Sequence, residues 1–243
     1  MTTKLSIPAE IEQEIIYPDT DGLPLPDSLE QEPYFIEILA TLKAFLEGLD
    51  VLVSGNTIIY YVEGDPSLSV APDCYVALGV SRAAILERHL TYRVWEAGKF
   101  PDFVLEIGSP STADNDLGPK RDLYARLGAL EYWRYDPTGG DYYGEPLVGE
   151  YLVEGEYRRF ELVDDPDGLP RAHSPLLNLD LRWEEDRLRF YDPASGRWLE
   201  NNVESIARAE AEHDARMDAE ARAETAEARM AEMEAELRRL RGE

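Results

Sequence analysis

Glu106 is an acidic residue inside an apolar run, Phe103–Ile107, with the sequence FVLEI. A short apolar run of this kind is typical of a buried central strand. An ionised carboxylate in such a place is costly unless a cation compensates it. Glu106 therefore needs a positive partner, and the residue alone leaves open whether that partner is an arginine or a metal ion.

Asp73 is the second acidic residue whose position indicates chemistry. It follows Pro72 and leads into the strand-like sequence DCYVAL. If this strand neighbours the strand of Glu106, the two carboxylates lie close together at one sheet edge. The alternative is an ordinary turn aspartate after a proline.

Lys120 lies in the first turn of a helix that begins at Pro119. The helix dipole disfavours a cation there by about 0.3–1 kcal/mol. Lys120 shares a stripe with Leu123, Tyr124 and Leu127, which should face the sheet. We therefore expect its ammonium to point toward the strand ends, although a lysine that only packs its stem and extends its head to water is an alternative.

Two carboxylates and a lysine suit metal-dependent hydrolysis of a phosphodiester. Carboxylates can hold Mg²⁺, which polarises the phosphate and activates water, and the lysine can orient that water or stabilise developing charge. Cys74 is the only cysteine and the three histidines are far apart in sequence. Oxygen ligands, and hence Mg²⁺ or Mn²⁺, are therefore expected.

Nucleophilic catalysis by a hydroxyl is a weaker hypothesis. Ser109, Ser111 and Thr112 follow the apolar run, but no histidine is placed to activate them. Roles in capping the loop fit these residues better.

The elements around these residues predict an α/β fold. Helical spacing predicts a first helix over 29–47, ended by Gly48. Strand candidates then precede a strand–helix–strand unit over 103–135. The later strand candidates are interpreted as an antiparallel extension of the same sheet; they cover 150–153, 157–163, 176–183 and 188–191.

The ends of the chain differ from its centre. Residues 1–28 are rich in proline and acid and predict an extended arm, residues 29–200 the main domain, and residues 201–243 a charged helical tail. Within 203–240 the side chains of Met230, Met233, Leu237 and Leu240 follow 3-4-3 spacing, which indicates a short coiled-coil seam. The tail is expected to self-associate or bind a partner helix, with a solvated spacer as the alternative.

The charge of the chain opposes nucleic-acid binding at long range. It carries 24 basic and 50 acidic residues, a net charge of −26. Without the tail, 38 acidic and 17 basic residues still give −21. No segment has the length and apolarity of a membrane span or a secretory signal, so a cytoplasmic location is expected.

Several motifs resemble a known family. They are APD at 71–73, PDFVLEIGSPST at 101–112, the D-x-x-x-K spacing from Asp116 to Lys120, and YARLGALEYW at 124–133. The chain resembles the Uma-type putative restriction endonuclease family of the PD-(D/E)XK nuclease-like superfamily, most strongly over 54–137 and more weakly over 174–181. The resemblance implies a restriction-endonuclease-like mixed sheet flanked by helices, with antiparallel C-terminal strands and a long C-terminal helix.

The resemblance also implies roles for individual residues. Asp73 and Glu106 become the metal-binding acids and Lys120 a relocated lysine, because the usual lysine position falls on Gly108. A further glutamate from the first helix is expected to be Glu37, with Glu32 behind it. This chain departs from many members in one respect: a proline-rich arm stands where they have a glutamate-containing hairpin before the first helix.

Three functions follow as expectations. The first is a Mg²⁺-dependent nuclease acting on DNA. The second is an inactive nuclease-like interaction module that works through its helical tail, which the acidity of the chain favours. The third is a metal-dependent hydrolase of a smaller phosphodiester, for which long-range repulsion matters less.

Overall fold

The chain divides into two compact units, residues 1–199 and residues 200–243, in a computed structural model. The structure describes residues 15–18, 28–87, 89–164 and 168–242. Most of the expected N-terminal arm therefore lies outside the described residues. Within the described part of the chain, no helix is both long and apolar enough to cross a membrane.

The described residues form six helices and fourteen strands, which are numbered in chain order. The helices are α1 (Ser28–Phe45), α2 (Arg82–Leu86), α3 (Val94–Ala97), α4 (Ala113–Leu117), α5 (Pro119–Leu127) and α6 (Asn202–Arg241). The first seven strands are β1 (Val51–Ser54), β2 (Ile59–Tyr60), β3 (Ser69–Val70), β4 (Cys74–Leu78), β5 (Tyr92–Arg93), β6 (Phe103–Ile107) and β7 (Glu131–Tyr135). The remaining strands are β8 (Leu147–Val153), β9 (Glu156–Arg159), β10 (Val163–Asp164), β11 (Pro170–Ser174), β12 (Leu179–Glu184), β13 (Arg187–Asp192) and β14 (Arg197–Trp198).

A six-stranded mixed sheet forms the centre of the first unit. Its strand order is β1-β4-β6-β7-β8-β9, and β6 and β7 are the parallel neighbours while the other pairs are antiparallel. The parallel pair requires a crossover, which α4 and α5 supply. This sheet confirms the expected mixed α/β fold.

Helices and strands cover both faces of the central sheet. On one face, Phe103, Leu105 and Ile107 pack with Ile38 and Leu42 of α1. The opposite face carries a second core, whose buried members include Tyr75, Val104, Tyr124 and Tyr132. Because side chains alternate along a strand, Glu106 points to the same face as Val104 and so toward α5.

The C-terminal strands are antiparallel, as expected, but they do not all extend the central sheet. In the described part of the chain, β8 and β9 join it, and β10 to β14 form a separate five-stranded antiparallel sheet. Leu179, Leu181, Leu188 and Phe190 bury their side chains in the same core as α1. The expectation of a single sheet was wrong. The strands β10 to β14 pair with one another instead of with the edge strand β9, and their apolar side chains pack on the core.

A third, small sheet is formed by β3, β2 and β5, and β2 and β5 are parallel. Its residues Ile59 and Tyr92 belong to the core on the α5 face of the central sheet. Tyr17, in the short described part of the arm, packs its ring against Tyr60 of β2 and Trp95 of α3.

Helix α6 makes up nearly all of the second unit. Asn201 caps its first turn by accepting a hydrogen bond from Glu204 N, and the Glu204 side chain accepts one from Asn201 N. This reciprocal pair is a capping box. The helix spans 40 residues and ends at Gly242, whose left-handed backbone suits a glycine.

Candidate active site

Asp73 and Glu106 meet where the start of β4 lies beside the end of β6. The two strands are antiparallel, with Cys74 opposite Leu105. The Asp73 backbone N–H donates to Glu106 Oε2 at 3.3 Å, and the Ile107 N–H donates to Asp73 Oδ2 at 2.7 Å. The structure therefore brings together the two acids that the sequence singled out.

A close backbone contact fixes the position of Asp73. The Asn56 N–H donates to the Pro72 carbonyl at 2.9 Å, so the loop after β1 contacts the segment before β4. A Cβ at Gly55 would lie 1.9 Å from the carbonyl oxygen of Asp73. Glycine is therefore required at position 55 for this approach.

Lys120 reaches the acids from α5. Its Nζ lies 3.2 Å from Glu106 Oε1 and 2.9 Å from Asp116 Oδ1. The ammonium is thus directed to the end of β6, in the direction that its apolar stripe indicates. Two carboxylates compensate it in a helical turn where the dipole opposes a cation.

Asp116 is a third acid of this cluster and is fully buried; the sequence identified it only through its D-x-x-x-K spacing with Lys120. Its Oδ2 accepts a hydrogen bond from the Tyr143 hydroxyl at 2.7 Å, and its backbone carbonyl accepts one from the Tyr132 hydroxyl at 2.8 Å. The available signal was the four-residue spacing from Asp116 to Lys120, which places an acid beside a base. Asp116 lies in a polar stretch that looks like a loop, so the motif alone does not predict that its side chain is buried.

Tyr124 holds Glu106 from the next turn of α5. Its hydroxyl donates to Glu106 Oε1 at 2.5 Å, and its ring is buried. The same oxygen faces Lys120, so one carboxylate oxygen is fixed by a neutral and a charged donor. This arrangement restricts the rotamer of Glu106.

Burial is the largest influence on the pKa values of Asp73 and Glu106. It raises the pKa of Glu106 to about 8, and the charges of Asp73 and Asp116 add to the rise while Lys120 opposes it. Burial likewise raises the pKa of Asp73, against the Ile107 N–H and Lys120. For Lys120, burial lowers the pKa but Glu106 and Asp116 outweigh it, so its pKa is raised. The cluster has more negative charge than one ammonium neutralises.

The structure explains why no lysine occupies the usual position two residues after Glu106. A Cβ at Gly108 would lie 3.1 Å from Cε2 of Tyr143 and 3.3 Å from Cδ2 of Tyr142. These rings belong to a loop that Asp136 anchors by accepting hydrogen bonds from both tyrosine N–H groups. A side chain at position 108 would therefore crowd these two rings, which would have to shift to admit it.

Glu37, the further acid expected from the first helix, lies in a different cluster. Its Oε2 pairs with Arg187 of β13 at 2.5 Å. The side chain that α1 extends to the end of β6 is Gln31, whose Nε2 donates to the carbonyls of Ile107 and Gly108 at 2.8 and 3.2 Å. Ser109 lies in a hydroxyl network, with its Oγ 2.9 Å from Thr112 Oγ1.

Two arginines near the site are already engaged. Arg121 forms a two-pronged contact with Glu150, and Arg134 binds the same carboxylate at 2.8 Å. Arg126 is exposed, and with Arg121 and Tyr157 it lines a polar surface cavity of about 470 Å³. The arginines close to the site in sequence therefore do not all face it.

Cys74 follows Asp73 and lies on the opposite face of β4. Its side chain is 1% exposed, and burial raises the pKa of its thiol. Among the residues that the structure describes, no group of three or more histidine, cysteine or acidic side chains has the geometry of a metal site.

Comparisons with known proteins place the chain in a family. A search of curated proteins finds no match. A solved structure titled as a putative nuclease belonging to DUF820, from Anabaena variabilis ATCC 29413, overlays with a TM-score of 0.41 and 17% identity, covering 59% of this chain and 75% of that one. The family model Uma2, described as "Putative restriction endonuclease", matches residues 23–182, a range that contains Asp73, Glu106 and Lys120. This chain therefore belongs to the Uma2 family.

Proposed function

We propose that this protein is a metal-dependent nuclease that hydrolyses DNA phosphodiester bonds at Asp73, Glu106 and Lys120. The observation that carries the proposal is the position of Lys120 Nζ, 3.2 Å from a buried Glu106 carboxylate that itself contacts Asp73. Membership of a restriction endonuclease family agrees with this chemistry.

The donor set fits a hard divalent cation. Asp73 and Glu106 offer carboxylate oxygens at one point, and the pKa of each is raised by burial among neighbouring negative charges. Such a pair gains from a divalent cation, and Mg²⁺ often takes only one or two carboxylates and keeps waters or phosphate oxygens as its other ligands. Asp73 and Glu106 would hold Mg²⁺ or Mn²⁺. When bound, such an ion polarises the phosphate and lowers the pKa of attacking water.

Lys120 supplies a fixed positive charge beside these acids. Its ammonium is held between Glu106 and Asp116, so it needs little reorganisation to face a phosphate oxygen or an attacking water. Asp116 acts as a positioning residue, because its buried carboxylate contacts the Lys120 ammonium. Tyr124 holds the Glu106 carboxylate in one orientation.

The acidity of the chain supports a second candidate function, a non-catalytic interaction module. A net charge of −26 repels a polyanion such as DNA at long range, before direct contacts form. A smaller phosphodiester would feel this repulsion less. Activity on small diesters without DNA cleavage would therefore identify a hydrolase of small substrates, and inactivity on both would favour the module.

The decisive experiment incubates the pure protein with supercoiled, linear, single-stranded and branched DNA, in the presence of Mg²⁺ or Mn²⁺. We expect metal-dependent cleavage by the wild type, and its loss in Glu106→Ala and Lys120→Ala. Cleavage that persists in Glu106→Ala would count against this site. A small chromogenic phosphodiester, assayed in parallel, separates a failed substrate choice from a failed active site.

Lys99 provides the matched control for Lys120. Its Nζ pairs with Asp102 at 2.7 Å, at the opposite end of β6. Lys99→Ala removes the same charge but at a point away from Asp73 and Glu106, so we expect cleavage to survive in that variant. Glu37→Gln tests the further acid of α1: because Glu37 pairs with Arg187, we expect at most a small change in cleavage.

The helical tail is a second functional part in this proposal, as a segment for self-association. Its apolar residues Met230, Met233, Leu237 and Leu240 are exposed in the second unit. Exposed apolar side chains at coiled-coil spacing are typical of a face that another helix covers.

A further inference from the structure

Four apolar residues form an exposed seam along α6. Met230, Met233, Leu237 and Leu240 are 63%, 67%, 50% and 72% exposed. They occupy alternating a and d positions of a heptad repeat, with Met230 at a. Three alanines continue the seam toward the N-terminus: Ala219, Ala223 and Ala226. Arg216 would occupy the next a position, so the seam covers residues 219–241.

We infer that this seam pairs with the same seam of a second copy of this chain, parallel and in register. The inference rests on the self-association proposed above for the tail and does not depend on the nuclease activity. It rests on the charges that flank the seam at the e and g positions, which set the orientation of helices in coiled coils.

In a parallel, in-register pair, each g residue faces the e residue five places later in the other helix. Three such pairs fall within the seam, and each joins opposite charges: Arg222 with Glu227, Arg229 with Glu234, and Glu236 with Arg241. Symmetry doubles them to six. No like charges meet at these positions, so the sequence is complementary to itself in this orientation.

An antiparallel pair lacks this complementarity. Two antiparallel alignments bring most a and d residues of the seam together. In one of them Glu227 faces Glu227 of the second copy, and in the other it faces Glu234. Both alignments therefore place like charges in contact, which destabilises a helix pair. The charges favour the parallel orientation.

Within one helix, two of these acids already form ion pairs. Arg238 lies 3.9 Å from Glu234, and Arg239 lies 2.9 Å from Glu236. All four side chains are more than half exposed, and such surface pairs contribute little. The carboxylates can therefore exchange these contacts for pairs across the seam.

Charge reversal in the full-length protein tests the orientation. The first variant is Glu236→Arg, which replaces two attractive contacts across the parallel dimer with repulsive ones. The second is Glu236→Arg combined with Arg241→Glu, which restores opposite charges only if positions 236 and 241 face each other. Glu232→Arg, at the outward c position, is the control with the same change in charge. Dissociation constants are measured by sedimentation equilibrium, and helicity by circular dichroism.

We expect a wild-type dimer, a roughly tenfold weaker Glu236→Arg dimer, and recovery of wild-type affinity in the double variant. Glu232→Arg should dimerise like the wild type. In both antiparallel alignments position 236 faces an arginine, Arg222 or Arg229, so the double variant would stay as weak as Glu236→Arg. That outcome, or a wild type that stays monomeric across the micromolar range, would overturn the inference.

A second measurement reports the register directly. In an in-register parallel pair, position 233 faces its own copy, so Met233→Cys should form an intermolecular disulfide under mild oxidation. The native Cys74 is buried and does not compete. Failure of Met233→Cys to cross-link in a variant that still dimerises would exclude the parallel, in-register arrangement.

Discussion

The Asp116 carboxylate lies 2.9 Å from Lys120 Nζ, across the break between α4 and α5 at Gly118. Lys120 therefore depends on a residue outside its own helix for its position. Tyr143 holds the other oxygen of the same carboxylate, so the loop after β7 also contributes to the placement of the ammonium.

Replacement of Asp116 by asparagine should reduce cleavage by roughly 10–100-fold, as expected for a residue that positions another functional group. The charge of Asp116 also helps to raise the pKa of Lys120. If Lys120 must be protonated for activity, the pKa of Lys120 should be lower in Asp116→Asn. Activity should then decline at a lower pH in this variant than in the wild type. The measurement is the pH profile of kcat and of kcat/KM.

Asp122→Asn is the control for this variant, because Asp122 is an exposed acid in the first turn of α5. It should leave the profile unchanged. A uniform drop in activity for Asp116→Asn, without any change in the shape of the profile, would indicate only a structural role.

The stability of the metal-free protein should fall as the pH rises. The pKa of Glu106 is raised from 4.5 to about 8, so between these values the folded state keeps a proton that the unfolded state has lost. Protonation therefore favours folding fully below about pH 4.5, and this contribution disappears as the pH passes about 8. The raised pKa of Asp73 acts in the same direction.

Melting temperatures in the presence of a chelator, from about pH 5 to about pH 9, measure this effect. The decline should be smaller in Glu106→Gln, which cannot ionise. Added Mg²⁺ should raise the wild-type melting temperature most at the high end of the range. Equal slopes for the wild type and Glu106→Gln would refute the linkage.

Replacement of Gly55 by alanine should displace Asp73. The new Cβ would lie 1.9 Å from the Asp73 carbonyl oxygen, a backbone atom that cannot rotate away. We expect a loss of about 1–3 kcal/mol in the free energy of unfolding, as for an overpacked site, together with weaker Mg²⁺ binding. Denaturant unfolding and calorimetric titration measure the two effects.

Gly64→Ala provides a comparison, since a Cβ there has no atom within 4 Å and only its positive φ opposes the change. That variant should lose about 1 kcal/mol and keep its metal affinity. Normal Mg²⁺ binding by Gly55→Ala would show that the loop does not fix Asp73.

Transfer of the lysine to position 108 should not restore activity. Combining Lys120→Ala with Gly108→Lys gives the spacing that is usual in the superfamily, but the Tyr142 and Tyr143 rings already occupy the space. We expect the double variant to be as inactive as Lys120→Ala in a metal-dependent DNA cleavage assay, and less stable. Recovered cleavage would mean that the loop moves easily.

The sequence predicted the parts of the site that depend on local pattern. Glu106 stood out because an acid interrupts an apolar strand, and Lys120 because it violates the preference of a helix start. Both side chains point where their periodicity indicates. The role of Asp116 was not predictable from its motif, because it depends on Tyr132 and Tyr143, which reach it from 16 and 27 residues away.

The arrangement of the C-terminal strands could not be derived in the same way. Their apolar alternation predicts which side chains are buried, but it does not specify which edge a strand joins. Strand β11, Pro170–Ser174, has a proline and a histidine and few apolar residues, so its pairing with β12 was not visible. Pairing of Glu37 with Arg187, 150 residues apart, likewise depends on the tertiary fold.

The buried thiol of Cys74 gives this protein a built-in reporter. It is the only cysteine in the chain and the immediate neighbour of Asp73. A thiol reagent can modify it only when β4 separates from its surroundings, so the rate of modification measures how often this strand opens. Ligands that bind Asp73 and Glu106 in the closed form slow that reaction. Labelling kinetics of the wild-type protein can therefore be used to screen metal ions and nucleic acids without any assay of cleavage.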